Sequence, residues 1–553
     1  MEGRRVGFLL WQNFTKCWPF EMLLYTKELV APRPKGGQGL LRFKQNLLKK
    51  KVLNRLTDSL AHSTIHGMQN VFTERHFWVR CMWLCIVVGA AVTCFSLYSV
   101  LMHRHSEQLL VSLIDTTQMP VYHIDFPAVA ICPWNHVNWL RTPAAVLRFL
   151  PRHPDAELME TFRQFLLVLE QTTFVNFNKA HNLSKRNLTA LESLNVRTVI
   201  NYLSHRCDEL FVPDSCVFDE TPYDCCKLFV SEQTEKGQCL VFNSLISEHS
   251  RKKQLTNKFY PYKLSTAGEE SGLKFTINLN ESYLRAGTKL PYGMSLMIKE
   301  PRQWSNNMVY HLHPETENFV AVHPMVTETS PNTYEMSPEK RRCYFDNEKN
   351  PHYQDTTLVY NRENCIVVCL HQVVIKACNC STPVFLPPIG RVLFMYFFLR
   401  LLSSHPAVTE GIRECGILDA KCLSLNADIF SYVKVGDQEK YINDWRRGHT
   451  CHCPDNCSSR KYQMTVNVRK LDYDKNQTNR VIKAQIYYGQ RVMTKIVTKL
   501  KYTSLDLMAH FGGIISLYIG ASAISFVELF VVLGKLLWTL IREGYSKAKE
   551  WII

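Results

Sequence analysis

Hydrophobic positions in this chain follow three patterns. Near each end lies an unbroken apolar run. Residues 82–101 hold no charge, with Phe77, Trp78 and Val79 extending the run past Arg80, and residues 511–534 hold one charge, Glu528. A helix of about twenty residues rises about 30 Å, the thickness of a hydrocarbon core. Both runs are flanked by Lys and Arg, so they predict two transmembrane helices rather than the buried helices of a soluble core. Between them the apolar positions come in shorter units. Residues 121–132 (VYHIDFPAVAIC) predict an extended strand. From 143 to about 204 the spacing turns to three and four, through Leu147, Phe149, Leu150, Leu158, Phe162, Phe165 and Leu166, which predicts helices. Further strands are predicted near 237–242, 273–279, 294–298, 461–468 and 481–488.

One run fits none of these. Residues 391–408 (RVLFMYFFLRLLSSHPAV) begin strongly apolar but are short for a third span, which would also turn residues 415–457 to the cytosol. Two readings stand: a buried or membrane-skimming helix, or translated intron, since deleting the run leaves an ordinary cysteine spacing. No internal repeat or long low-complexity tract interrupts the chain. The whole predicts an α+β membrane protein, two helices carrying one large ectodomain.

Charge and cysteine usage sharpen this. The 553 residues carry 65 Lys and Arg against 49 Asp and Glu, a formal charge of +16, which alone would suggest a nucleic-acid partner. The cysteines argue against nucleic acid: sixteen of the 20 lie between Cys132 and Cys457, a dense even-numbered cluster of the kind that oxidising compartments favour. No short apolar core sits near Met1, so no cleavable signal peptide is expected. Fourteen Lys and Arg against five Asp and Glu precede the uncharged part of the first run, and Lys535, Arg542, Lys547 and Lys549 outnumber Glu543 and Glu550 after the second. The positive-inside tendency puts both ends in the cytosol and the middle outside, in the plasma membrane with two spans. The expected division is cytosolic 1–76, first span 77–102, extracellular 103–507, second span 508–541 and cytosolic tail 542–553. Glycosylation acceptors at Asn182, Asn187, Asn280 and Asn476 fall in the outer part. Asn379 and Asn456 also match, but each precedes a cysteine and is discounted.

Ten cysteines cluster at 343, 365, 369, 378, 380, 415, 422, 451, 453 and 457. Their C-x-C and C-x-C-x-x-x-C pieces could be zinc ligands, but an extracellular block points to disulfides and no metal. Spacing does not give their connectivity. The second apolar run is unusual for a lipid-facing helix, because it holds Gly512, Gly513, Ser516, Gly520, Ala521, Ser522 and Ser525. Small residues suit a close helix–helix contact. They also suit a pore, where unwound backbone is tolerated only beside a water-filled path and carbonyls replace an ion's water shell. Glu528 fits the second reading, since an acidic group in a span normally faces an interior. It would attract cations or pair with a neighbouring helix. Arg80, standing alone, reads as an anchor near the inner face and not as a voltage sensor.

Together these pieces resemble the degenerin/epithelial sodium channel family, in particular its insect pickpocket branch, from His66 to about Leu533. His66-Gly67 before the first span is similar to the family's cytosolic His-Gly gating motif. Phe126-Pro-Ala-Val-Ala-Ile-Cys132 resembles the strand after the first span, and Gly520-Ala521-Ser522 followed by Glu528 resembles the pore signature. The resemblance implies a palm, finger and thumb ectodomain, with the thumb at about 343–457. It implies the pairs Cys132–Cys239, Cys343–Cys457, Cys365–Cys453, Cys369–Cys451, Cys378–Cys422 and Cys380–Cys415. Cys207 and Cys216 would pair with Cys225 and Cys226 in an order it leaves open. The 34-residue gap from Cys380 to Cys415 is longer than the family usually shows.

The resemblance also implies a homo- or heterotrimer in membrane lipid, with Gly520, Ala521 and Ser522 as selectivity filter. Ser516 would sit at the amiloride contact and Ala509 at the degenerin position. His510, Gly513 and Glu528 would line the pore and gate. The implied activity is an amiloride-sensitive, voltage-independent sodium channel opened by ligand, proton or force. It would need no cofactor beyond the permeant Na⁺. Two alternatives compete: a non-conducting accessory subunit of a heterotrimer, and a two-span scavenger or lipid-binding receptor. No nucleophile or metal-ligand pattern suggests an enzyme; His311 and His313 read as ordinary surface or core residues.

Overall fold

The computed structural model describes residues 54, 57–59, 61–107, 109–174, 176–288, 292–305, 308–348, 359–383, 412–434, 447–472 and 479–552. The apolar run 391–408 and Asn476 lie outside them. The chain divides into two compact units, one from Met1–Gln108 and Tyr502–Ile553, the other from Leu109–Lys501.

The larger unit is built on two sheets. The first has eight strands around the central strand Thr316–Thr329. One edge of that strand pairs antiparallel with Ser458–Lys470. The other pairs parallel, first with Asn479–Tyr488 and then with Val492–Leu500. Burial alternates along Leu273–Asn280 and most of Thr316–Thr329, so one face is packed. The second sheet has five antiparallel strands, in the order Phe229–Thr234, Gly237–Phe242, Ala128–Pro133, Met294–Lys299 and Val309–Leu312. Every residue of Ala128–Pro133 and Met294–Lys299 is buried, which is why the first reads as a continuous apolar run and the second is broken only by Ser295 and Lys299. Val129, Ile131 and Phe242 of this sheet share a core with Phe275, Ile277 and Ile486 of the other. Phe126 lies at the centre of that core, its ring edge-on to Phe218, Phe242 and Tyr488.

Three expectations are corrected here. Residues 121–132 are not one strand: Val121–His123 is a 3₁₀ turn, and the strand starts at Ala128. Pro127 has no N–H for a ladder, and Asp125 is drawn off to Arg460 (3.3 Å). The helical stretch 143–204 is also interrupted. Thr142–Phe149, Ala156–Gln171 and Val196–Leu203 are α-helical, but 3₁₀ turns fill the interval between the last two. There Asn side chains compete with the helix, as when Asn187 Oδ1 accepts from the Thr189 N–H and hydroxyl (3.2 and 2.8 Å). The long strand Thr316–Thr329 has no counterpart among the expected strands. Its Pro324 argues against a central strand, yet it falls where the parallel partner changes, between Val322↔Tyr488 and Met325↔Thr494.

The helical layer docks on polar contacts. The Asn138 N–H donates to Leu203 O (2.8 Å), Arg141 Nη1 donates to Tyr202 O and Ser204 O (3.0 and 2.9 Å), and Trp139 Nε1 donates to Glu170 (2.8 Å). His205 Nε2 donates to Asn135 O (3.0 Å), and burial pushes the imidazole down to about 4.

Eight disulfides brace this unit. Cys132–Cys239 joins adjacent regions of the five-stranded sheet. Cys207 bonds Cys226 and Cys216 bonds Cys225, the order the sequence leaves open. The helix Arg362–Cys378 carries Cys365 and Cys369 one turn apart, bonded to Cys453 and Cys451, while Cys343–Cys457 closes the outer rung. Cys378–Cys422 and Cys380–Cys415 close the inner end. Cys380 and Cys415 lie near Asp419, but as a disulfide they offer a metal no thiolate. Asn182 and Asn187 are exposed; Asn280 ends its strand and accepts from the Ser282 N–H (2.9 Å).

The same helix is tied to the five-stranded sheet by the fully buried Asn364. Its Oδ1 accepts from the Trp304 N–H (2.7 Å) and its Nδ2 donates to Arg302 O (2.8 Å). Asn364→Ala removes both bonds, and we expect roughly 1–3 kcal/mol of destabilisation from the loss of the buried partner of the Trp304 N–H, read as a lower melting temperature of the purified protein.

His205 adds a pH dependence. An unfolded histidine titrates near about 6.5 and the folded one near about 4, so the unfolded chain binds the proton first. The His205 contribution is intact above about pH 6.5 and falls away towards pH 4. His205→Gln should flatten the melting-temperature profile across that window; a profile as steep as wild type would refute the assignment.

Candidate functional site

The smaller unit holds the sequence-predicted pore residues. The helix Phe77–Glu107 is long and apolar enough to cross a membrane. Large side chains such as Trp78 (82% exposed) and Phe95 (70%) stand out from it, a surface that water would not leave uncovered. The second apolar run is not one straight helix. It forms two half-helices, Ser504–Ile519 and Ala523–Ile552, and the pair Ser504–Ile519 and Ala523–Lys535 is bent by 72°. A capping box starts the first half: Asp506 N–H donates to Thr503 Oγ1 (3.2 Å), and Thr503 N–H donates to Asp506 Oδ2 (2.9 Å).

The break is Gly520-Ala521-Ser522. Gly520 caps the first half-helix at φ 73°, in the left-handed region, and its N–H donates to Ser516 O (3.0 Å). A Cβ at Gly520 would run into the His66 imidazole, so glycine is required twice, by backbone angle and by space. The neighbour that imposes this comes from the other end of the chain. His66 N–H donates to Ile519 O (3.0 Å), satisfying a carbonyl that the end of the half-helix leaves free. Gly67 then turns the chain at φ 74° into the short helix Met68–Thr73, and a Cβ there would meet Val87 Cγ2 at 3.0 Å and Trp83 at 3.3 Å. His66 and Gly67 thus act as a wedge. The first packs on the break and the second on the first apolar helix.

Beyond the break, Ser522 N–H donates to Ser525 Oγ (3.0 Å), which opens the second half-helix. Ser525 Oγ lies 2.8 Å from Thr64 Oγ1, and Thr64 Oγ1 donates to Glu528 Oε2 (3.1 Å). Within the chain, Glu528 therefore joins the segment before His66. The other predicted residues lie along the first half-helix. Ala509, His510, Gly513 and Ser516 are exposed in the single chain, and no side chain approaches the Cβ position of Gly513. The His510 ring stands edge-on to Tyr502 (6.0 Å), and Phe511 meets Tyr98 of the first apolar helix (4.9 Å). Arg80 donates through Nη2 to Glu74 O (2.6 Å) at the start of that helix. Thr64 is missing from the sequence-derived site, and Ser525 enters it only as one of the small residues of the second apolar run, at i, i+3 spacing between Ser522 and Glu528.

The break in the second apolar run, met by the segment that carries Thr64 and His66, is a backbone bend lined by hydroxyls and one carboxylate. Comparison with known proteins gives the family. The amiloride-sensitive sodium channel family model matches residues 59–532. Pickpocket protein 19 of Drosophila melanogaster is 67% identical over 531 residues, covering 96% of this chain and 100% of that protein. Sodium channel protein Nach of Drosophila ananassae is 23% identical, covering 88% of this chain and 87% of its own. The human bile acid-sensitive ion channel is 22% identical, covering 89% of each. The chain belongs to the amiloride-sensitive sodium channel family, as an insect pickpocket-like cation channel subunit and not an enzyme.

Proposed function

We propose that this chain is one subunit of a trimeric, voltage-independent, amiloride-sensitive and sodium-selective channel of the plasma membrane, opened by an extracellular stimulus in a sensory or epithelial cell. Phe77–Glu107 is the first span and the bent pair is the second. Both termini are cytosolic, and the disulfide-braced unit Leu109–Lys501 is extracellular, with palm, finger and thumb built on its two sheets, its helical layer and residues 343–457. Exposed Ile524 (69%), Phe530 (71%) and Trp538 (66%) on the second half-helix support contact with lipid or neighbouring subunits.

The observation that carries this reading is the break at Gly520, held open by His66. Unwound backbone is tolerable in a span only beside water or protein. Three copies of Gly520-Ala521-Ser522 around an axis would make a narrow ring of carbonyls and hydroxyls, which favours the smaller cation. Glu528 would add negative charge on its cytosolic side. Ser516, one turn before the break, is the proposed amiloride contact.

The reading is tested by whole-cell recording in sodium and then potassium, with and without amiloride, for the chain alone and with related subunits. We expect an amiloride-blocked current that reverses at more positive potentials in sodium. Current only with related subunits would make this an accessory subunit, and none at all would favour a receptor. Gly520→Ala should abolish the current at unchanged surface expression, because the added methyl meets the His66 ring.

Ala509→Val should give a channel leaky at rest, since a small residue there lets the gate close. Resting current equal to wild type in a conducting channel would sink that assignment.

A further inference from the structure

We propose that Thr64 is a positioning residue for ion selectivity: acting through Ser525 and Glu528, its hydroxyl fixes the Ser522 hydroxyl as an acceptor towards the permeant cation. The inference rests on reading 520–522 as the filter, and it adds a residue that lies 461 positions from the serine it touches.

Four side chains form one continuous relay. Ser522 Oγ lies 3.3 Å from Ser525 Oγ, Ser525 Oγ lies 2.8 Å from Thr64 Oγ1, and Thr64 Oγ1 donates to Glu528 Oε2 at 3.1 Å. An ionised carboxylate only accepts, and each hydroxyl has one hydrogen to give. Glu528 takes the Thr64 hydrogen. Ser525 must then donate to Thr64, and Ser522 to Ser525. All three hydroxyl hydrogens point towards Glu528, and each bond in such a chain polarises the next. Ser522 Oγ receives the Ser525 N–H at 3.4 Å on one lone pair and keeps the other. A free lone pair binds a cation, whereas an outward hydroxyl hydrogen repels it. Direction in the relay is set at the Glu528 end, and Thr64 is the link through which it passes.

Thr64 is placed for this by the wedge. The segment that carries it also carries His66, whose N–H bonds Ile519 O before the break, while Thr64 bonds Ser525 after it. One short stretch of chain therefore touches both half-helices. Removing the Thr64 hydroxyl frees Ser525 to turn its hydrogen elsewhere, and the Ser522 hydroxyl loses its fixed orientation.

The experiment compares reversal potentials in sodium and potassium for wild type, Thr64→Val, Thr64→Ser and Ser525→Ala, with surface expression measured in parallel. Thr64→Val keeps the shape and removes the hydroxyl. It should lower the sodium-over-potassium permeability ratio roughly five-fold, the factor that the net worth of one hydrogen bond sets. Thr64→Ser should restore the ratio, which a packing role for the threonine methyl would not do. If Thr64→Val fails to reach the surface, Ser525→Ala breaks the same relay and should show the same fall. A selective wild type with unchanged ratios in Thr64→Val and Ser525→Ala overturns the relay and leaves the filter reading standing. A wild type that conducts without discriminating between the two cations, or does not conduct in any combination, overturns both.

Discussion

A helix that stops inside an apolar run must find partners for the carbonyls it leaves behind, and the smaller unit is organised around that requirement. Gly520 ends the first half-helix in a left-handed conformation, and the freed Ile519 carbonyl is met by the His66 N–H from the opposite end of the chain. Once His66 is there, Gly520 has no room for a side chain, and Gly67 must turn sharply to pass between the break and the first apolar helix. The hydroxyl run from Ser522 through Thr64 to Glu528 follows from the same approach.

The larger unit is held together differently. Its two larger sheets share one apolar core around Phe126, which also takes in the Cys216–Cys225 disulfide. The segment 343–457 has less apolar burial of its own, in small clusters around Phe430 and Tyr360. There five disulfides limit the freedom of the unfolded chain instead. Buried polar contacts then fix how parts meet. Asn364 ties the cysteine-bearing helix to the five-stranded sheet, and Arg460 bridges Asp125 and Glu300, whose carboxyl burial pushes up to about 7. Such contacts specify one docking geometry, because any other leaves them unpaired.

Much of this was legible in the residues. The two long apolar runs, the period-2 strands such as Leu273–Asn280 and the largely apolar Met294–Lys299 are written in local patterns, since burial on one face or both dictates which residues can stand there. The strand Thr316–Thr329 was hidden by Pro324, because a local rule counts a missing N–H without knowing where a partner strand ends. The 3₁₀ turns between Asn178 and Leu191 were hidden for a related reason: apolar spacing persists through them while side chains take the backbone's hydrogen bonds.

The site divides in the same way. Small residues in an apolar run, an acidic residue within it and a His-Gly dipeptide are local facts, and the sequence determined them unaided. That His66 lies on Gly520, that Cys207 takes Cys226 and not its neighbour, and that Thr64 completes a relay from Ser522 to Glu528 were decided only by the tertiary structure. These contacts join residues far apart in the chain, and hydrogen bonds and packing depend on distance in space, which spacing along a sequence does not encode.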